Sequence, residues 1–595
     1  MRLPLRRGPG GYLTHGMDLE MPSAASLSEP TVKTALADGQ VTLEAIDAAV
    51  QHILLAEFSM GFFDRPQKIK SLPEDSPESS RAALEIARSA VVLLKNENET
   101  LPLDAAKIRS IAVYGDYAMK TPISGGGSGH VAPFHTVNYL DGIRAAAGDK
   151  VSVSFEPAPK ADPSVFETLA CAQVSVDGPA GLSLKATVSP AKEPEEAAQT
   201  GGTPPMEAVV PGINLAWGDQ NRPFGIPVGR NGVLTWDGVL VAPEDGDWEL
   251  IRDYEGTARW NPKPNIRIGT PPPQFSGNLV PQWENGDGLH LTKGQAVPIS
   301  VHWYVFPRGR QTIKVGLRRI APDVERARKA DAVIVCTGRM AGESNDSFFD
   351  LPLAQQRLVE ALAAVNPRTI VVNTSGAGLG LAGVSEAAPA LLQAWFLGQE
   401  AGTALGEILF GKVNPSGRLP MTFDRDLADN AAFANYPGEL PGPSQPPVVE
   451  YKEGVFVGYR GYDRSGKAPL YPFGHGLGYT HFAYGELSVE RVDESARVTL
   501  NITNDGPREG AEVVQIYVGP PASAVERPPR ELKGFAKVSL QPGETQKVAI
   551  DLPRDAFAYW SPEKKAWTVD PGEFVIEAGA SSRDLRLKQT VRIGE

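Results

Sequence analysis

Residues 331–376 read DAVIVCTGRMAGESNDSFFDLPLAQQRLVEALAAVNPRTIVVNTSG, and the order of patterns within them decides the fold. The opening DAVIVCTG and the closing RTIVVNTSG are short apolar runs rich in β-branched residues, the composition of buried strands. Between them, LAQQRLVEALAAV spaces its apolar residues as one face of a helix. Strand, helix, strand in that order predicts a largely parallel sheet with helices on its faces, because parallel neighbours need a crossover. The run SIAVYGD at 110–116 begins the same pattern upstream.

Outward from this stretch, residues 161–320 interrupt the α/β pattern. They are rich in Pro, Gly and Trp and hold short alternating runs, such as TWDGVLVAPEDGDWELIRDY at 235–254 and AVPISVHWYVF at 296–306. An all-β domain inserted into a loop is predicted there. Toward the C-terminus, RVTLNITND, EVVQIYVG and EFVIEAG alternate cleanly between turn signals QPGE and DPGE, which predicts a β-sandwich. The expected division is therefore 1–80 for helical segments and a linker, 81–160 with 321–430 for a split α/β sandwich domain, 161–320 for the insert, 431–485 for a Pro- and Tyr-rich connector, and 486–595 for the sandwich.

Near the N-terminus, Thr42 is placed to cap a helix carrying Ile46, Val50, Ile53 and Leu54, with Gly61 suited to its end. Ser76 and Pro77 open a second helix that runs into the strand-like VVLLKN.

A length of 595 residues exceeds one core and suggests about four units. The net charge of −13 argues against a nucleic-acid surface, whose affinity rests on clustered Lys and Arg. It suits a neutral ligand. No apolar run reaches the ~20 residues that span a bilayer, so no membrane partner is expected. MRLPLRRGPGG at 1–11 lacks the apolar stretch of a secretory signal; localisation and oligomeric state are left open. Cys171 and Cys336 allow one disulfide at most, and Cys336, inside AVIVCTG, is read as a buried thiol.

Several strings carry a resemblance. They are GMDLEMP at 16–22, ARSAVVLLKNENETLPL at 87–103, GGGSGHVAP at 125–133 and, most specifically, AWFLGQEAGTALGEILFGKVNPSGRLPMTF at 394–423. Together they resemble glycoside hydrolase family 3, the β-glucosidases and their relatives, and RPPRELKGFAKVSLQPGET at 527–545 resembles that family's fibronectin type III-like domain. WDGVLVAPEDGDWEL at 236–250 and LTKGQAVPISVHWY at 291–304 resemble the protective-antigen-type β-domain that some members carry. The resemblance implies that residues 1–80 are the short helical end of a (β/α)₈ barrel. It also implies hydrolysis of terminal β-linked sugars in an oligosaccharide or glycoside substrate, without a cofactor. No metal is expected, since the calcium-binding version of the insert uses adjacent aspartates and this insert has none.

Retaining hydrolysis needs two carboxyl groups about 5–5.5 Å apart. The resemblance places the acid/base in a second-domain loop, where CTGRMAGESNDSFFDLPL puts Glu343 at the acid position and Asp346 at the motif's Asp. Ser347 stands where the family usually has Arg. The family's nucleophile, an Asp in the barrel, would precede GMDLEMP by a little over a dozen residues. MRLPLRRGPGGYLTH at 1–15 contains no Asp or Glu. Asp18 and Glu20 are read as structural or subsite residues. The barrel is thus expected to be largely missing, since a closed one takes about 250 residues, and this chain is expected to be inactive alone. The alternative is a non-catalytic carbohydrate-binding protein. Trp236, Trp248 and Trp303 of the insert are read as core residues rather than sugar-stacking ones, and His475, in YPFGHGLGYT, as part of an interdomain clasp.

Overall fold

The computed structural model describes residues 9–21, 24, 26–68, 75–157, 172–175, 177–188, 206–228, 231–256, 264–269, 283, 286–306, 308–340, 348–436, 448–523 and 525–594. The chain divides into two compact units, Met1–Pro77 and Glu78–Glu595.

The first unit holds the helices Pro9–Thr14, Glu29–Ala37 and Leu43–Ser59. Thr42 caps the third, its hydroxyl accepting from the Ala45 amide at 3.2 Å, and Gly61 beyond its end takes a φ of 67°. Leu55 and Phe58 on this helix remain exposed. The Asp18 carboxylate meets His52 Nδ1 at 3.1 Å, and Glu20 accepts the Ser26 and Leu27 amides at 2.8 and 2.7 Å. Both carboxylates therefore tie local backbone and helix together.

The second unit is built on a six-stranded sheet in the order Val92–Asn96, Ala390–Gln393, Thr369–Ser375, Ala332–Arg339, Ser110–Tyr114 and Ser152–Glu156. The edge strand Val92–Asn96 runs antiparallel and every other pair is parallel. Strand Ala332–Arg339 is buried at every position, as the continuous apolar run of a central parallel strand requires when both sheet faces are covered. One face packs against helices Tyr139–Ala147 and Ala401–Leu409, the other against Leu353–Ala363 and Ala382–Ala387. The first two helices approach so closely that a Cβ on Gly142 would lie 1.8 Å from the Gly402 carbonyl oxygen.

Between Ser152–Glu156 and Ala332–Arg339 the chain makes two antiparallel sheets. One is ordered Asn265–Ile268, Ala296–Val305, Gly232–Val241, Leu182–Val188, Met206–Val210, with Ala172–Gln173 paired to Gly232–Val241; the other is ordered Gly288–Leu291, Gly246–Gly256, Gln311–Arg319, Ile213–Trp217. Trp236 and Trp303 are fully buried in their shared core and Trp248 nearly so. A C-terminal sandwich follows, with a three-stranded sheet starting at Phe482–Val492 packed on a four-stranded sheet that contains Gly510–Gly519.

Two expected boundaries shift. That at 80/81 falls inside the continuous helix Pro77–Ala90, and that at 485/486 inside strand Phe482–Val492, at a register shift between Gly485 and Ser488 in its pairing with Ser495–Asn504.

Candidate active site

Parallel strands with the same direction bring their carboxyl ends to one edge, the usual place for ligands in open α/β sheets. Here the loops after Ser110–Tyr114, Ala332–Arg339, Thr369–Ser375 and Ala390–Gln393 gather at that edge. Glu343, Asp346 and Ser347 lie outside the described residues, within 341–347, which leaves from the carboxyl end of the central strand.

Both flanks of 341–347 converge on one guanidinium. Arg339, almost fully buried, donates to the Asp350 carbonyl at 2.9 and 3.2 Å. Its guanidinium lies 5.7 Å from the centre of the Phe348 ring, which meets Trp283 edge-on at 5.8 Å. The charge is balanced by Asp287 of the insert, at 2.5 and 3.1 Å. Burial pushes the Asp350 carboxyl up, with Arg339 opposing. The insert is further fixed to helix Leu353–Ala363 by Arg357 Nε donating to Asp247 at 2.7 Å and by the Ala354 amide donating to the Gly286 carbonyl at 3.1 Å.

Side-chain amides hold the neighbouring strand ends. Gln355 of the same helix pairs with both backbone groups of Gly338, at 2.8 and 3.1 Å. Gly338 has a φ of 151°, and a Cβ there would lie 1.9 Å from the Thr374 carbonyl oxygen. Buried Asn373, Ser375 and Gln393 bond to one another, Asn373 Nδ2 donating to Gln393 Oε1 at 2.6 Å and Gln393 Nε2 to the Ser375 carbonyl at 3.1 Å, while Asn373 Oδ1 has no partner among the described residues. Such side-chain networks help to fix one backbone arrangement.

The glycine-rich loop is stitched to the same edge. The Gly398 amide donates to the Ile123 carbonyl at 3.0 Å, the Val137 amide to the Gln399 carbonyl at 2.9 Å, and His135 Nε2 pairs with Glu400 at 2.6 Å. Trp395, just past strand Ala390–Gln393, takes a φ of 52°. Left-handed backbone at a bulky residue is strained, and such strain gathers at functional sites.

The burial of Trp236, Trp248 and Trp303 leaves no ring face for a sugar. His475 is half-buried: its Nε2–H donates to the Leu94 carbonyl at 2.9 Å, and its ring stacks on Tyr471 at 5.2 Å. It joins strand Val92–Asn96 to the connector. Cys336 is a free, buried thiol, while Cys171 lies outside the described residues. Sequence reasoning missed Arg339, Asp287 and the His135–Glu400 pair. A signal existed for Arg339, a charge closing an otherwise apolar run; Asp287, in a turn 52 residues away, gave none.

Residues 91–479 match the glycosyl hydrolase family 3 C-terminal domain, and 512–582 a fibronectin type III-like domain. The chain is 31% identical to a probable β-glucosidase K of Emericella nidulans over 98% of its own length and 70% of the relative's. It is 31% identical to a β-glucosidase of Rhizobium radiobacter, covering 97% of this chain and 70% of that one. Among solved structures it is similar to DesR, a β-glucosidase from Streptomyces venezuelae in complex with D-glucose, with a TM-score of 0.72 and 28% identity over 99% of this chain and 70% of that one. With the carboxyl-edge geometry, the matched domains and relatives of this coverage, the chain belongs to glycoside hydrolase family 3, among its β-glucosidases.

Proposed function

We propose that Glu343 is the acid/base of a retaining β-glucosidase that releases terminal β-linked glucose from an oligosaccharide or glycoside. In the first step its carboxyl proton passes to the leaving glycosidic oxygen while a second carboxylate attacks the anomeric carbon. In the second, the resulting Glu343 carboxylate takes a proton from water, which displaces the enzyme carboxylate. The observation that supports this reading is that Arg339 meets Phe348 and the Asp350 carbonyl, the residues on either side of 341–347 in the chain, at the carboxyl end of the central strand. A proton donor must be held within hydrogen-bond reach of the bond it cleaves, and the carboxyl edge of the sheet is where such a donor is expected.

The attacking carboxylate has no counterpart in residues 1–15, so this chain assayed alone is expected to turn over 4-nitrophenyl β-glucoside at background level. The residues of the first unit are read as the helical end of the family's barrel, and residues 161–320 as a protective-antigen-type insert beside the substrate entrance. Joining the first domain of the Rhizobium radiobacter relative to residues 16–595 tests the role of Glu343. Glu343→Ala in that chimera should lower kcat on poor leaving groups by about 10²–10⁴-fold and spare 2,4-dinitrophenyl glucoside in the first step, with azide restoring turnover. Equal loss on both leaving groups, or turnover by the unjoined chain, sinks the assignment.

A further inference from the structure

A cleft of about 440 Å³ opens beside the carboxyl edge of the sheet, walled by Phe349, Met421, Asp424, Tyr459, Arg460 and Phe473. Phe349 follows the segment 341–347 in the chain, and Gly378, also in the wall, follows strand Thr369–Ser375. The opposite wall comes from helix Tyr459–Ser465 and the connector. Ligand pockets are commonly about 300–1,000 Å³, mostly apolar, with a few convergent polar groups. This one has that make-up.

Its polar groups are unequally satisfied. Asp424 accepts from the Tyr462 hydroxyl through Oδ1 at 2.6 Å and from the Asn430 amide through Oδ2 at 3.1 Å. Among the described residues no Lys or Arg pairs with it. An ionised carboxylate offers about four acceptor sites, so half of this one's capacity is open in a place where burial already penalises its charge. Arg460 reaches Glu531 through Nη1 alone, at a long 3.4 Å. The Tyr459 hydroxyl accepts from the Leu532 amide at 2.9 Å and keeps its own proton to donate. Tyr459 and Phe473 stack at 4.9 Å with 26° between their planes, which gives the wall a firm aromatic surface.

We propose that this cleft binds a neutral pyranose ring, with Asp424 accepting hydrogen bonds from sugar hydroxyls, Arg460 donating to a sugar oxygen, and an aromatic face of the wall beneath the ring's C–H surface. A pyranose has an apolar face and a rim of groups that both donate and accept, matching aromatic walls that carry one acceptor and one donor. A cationic ligand would meet Arg460, and an anionic one Asp424. The site stands on these residues alone and does not depend on the role of Glu343.

Titration calorimetry of the 595-residue chain with methyl β-D-glucopyranoside tests it. One weak site is expected, and Asp424→Asn should weaken it by about tenfold or more, as losing hydrogen bonds to a charged group does. Val457→Trp should do the same from a different direction. Val457 lines the cleft, is 40% exposed and makes no side-chain hydrogen bond, so the substitution fills the mouth without disturbing the core, and it decides the matter if Asp424→Asn unfolds. Glu343→Gln should leave the affinity unchanged. No heat at tens of millimolar sugar, binding indifferent to both cleft variants, or binding lost in Glu343→Gln would each overturn the assignment.

Discussion

The guanidinium of Arg339 and the carboxylate of Asp287 form a two-pronged ion pair, 2.5 and 3.1 Å long, with side chains only 3% and 6% exposed. One partner ends the central strand of the α/β sheet and the other belongs to the insert. Removing one buried partner strands the other charge, at about 3–5 kcal/mol, whereas replacing both with apolar groups is often neutral. Asp287→Ala should therefore lower the thermal midpoint sharply, and Asp287→Leu with Arg339→Met should recover most of it. Hydrogen exchange at 348–352 should rise in the single variant. A double variant as unstable as the single one would show that the pair is not self-contained.

Gly338 is the second point of tight tolerance. A Cβ there lies 1.9 Å from the Thr374 carbonyl oxygen and the backbone is left-handed, so neither the strand spacing nor φ accommodates alanine. Gly338→Ala should cost at least about 1–3 kcal/mol, read as a lowered urea midpoint. An unchanged midpoint would mean that the two strands separate freely at this end.

Burial lowers the His475 imidazole below its ordinary value of 6.5, the hydrogen bond to Leu94 opposing. Above about pH 6.5 neither the folded nor the unfolded chain protonates this ring, and its contribution to stability is complete. As pH falls, the unfolded chain binds a proton that the native ring refuses, so stability declines until the native ring is itself protonated. The thermal midpoint of the parent should drop between pH 7 and pH 5 more steeply than that of His475→Gln. Parallel profiles in scanning fluorimetry would contradict this.

Burial also pushes the Cys336 thiol up to about 12. The thiolate is the reactive form, so iodoacetamide should leave Cys336 unmodified in the native chain and alkylate it only with unfolding, as peptide mapping would reveal. Rapid native labelling at this position would mean that the central strand opens locally.

The α/β core was legible because its signals are local. The runs around Val335 and Val371 are strand-length and apolar, and LAQQRLVEALAAV repeats every three to four residues. Thr42 and Gly61 bound their helix by ordinary cap chemistry. The insert showed itself through alternation and Trp content, and the buried state of Trp236 and Trp303 followed from their strand positions. What escaped reading depends on docking. Asp287 finds Arg339 only once the insert is seated, and Asp424 becomes a poorly satisfied carboxylate only when Asn430 and the Tyr459–Ser465 helix close around it. Glu343 is proposed from the motif around it, since an isolated loop glutamate carries no spacing signal.

The place of the insert has a consequence for how the chain folds. Strand Ser110–Tyr114 pairs with Ala332–Arg339 across a gap of 221 residues, and closing so long a loop of flexible chain is entropically unfavourable and slow. The stretch from Ala172 to Arg319 has its own hydrophobic core. If that core condenses first, the open loop shrinks to the arms 115–171 and 320–331, and the central strand has less chain to close before it reaches the sheet. A destabilised insert would then delay assembly of the whole α/β layer, making a peripheral domain a determinant of yield.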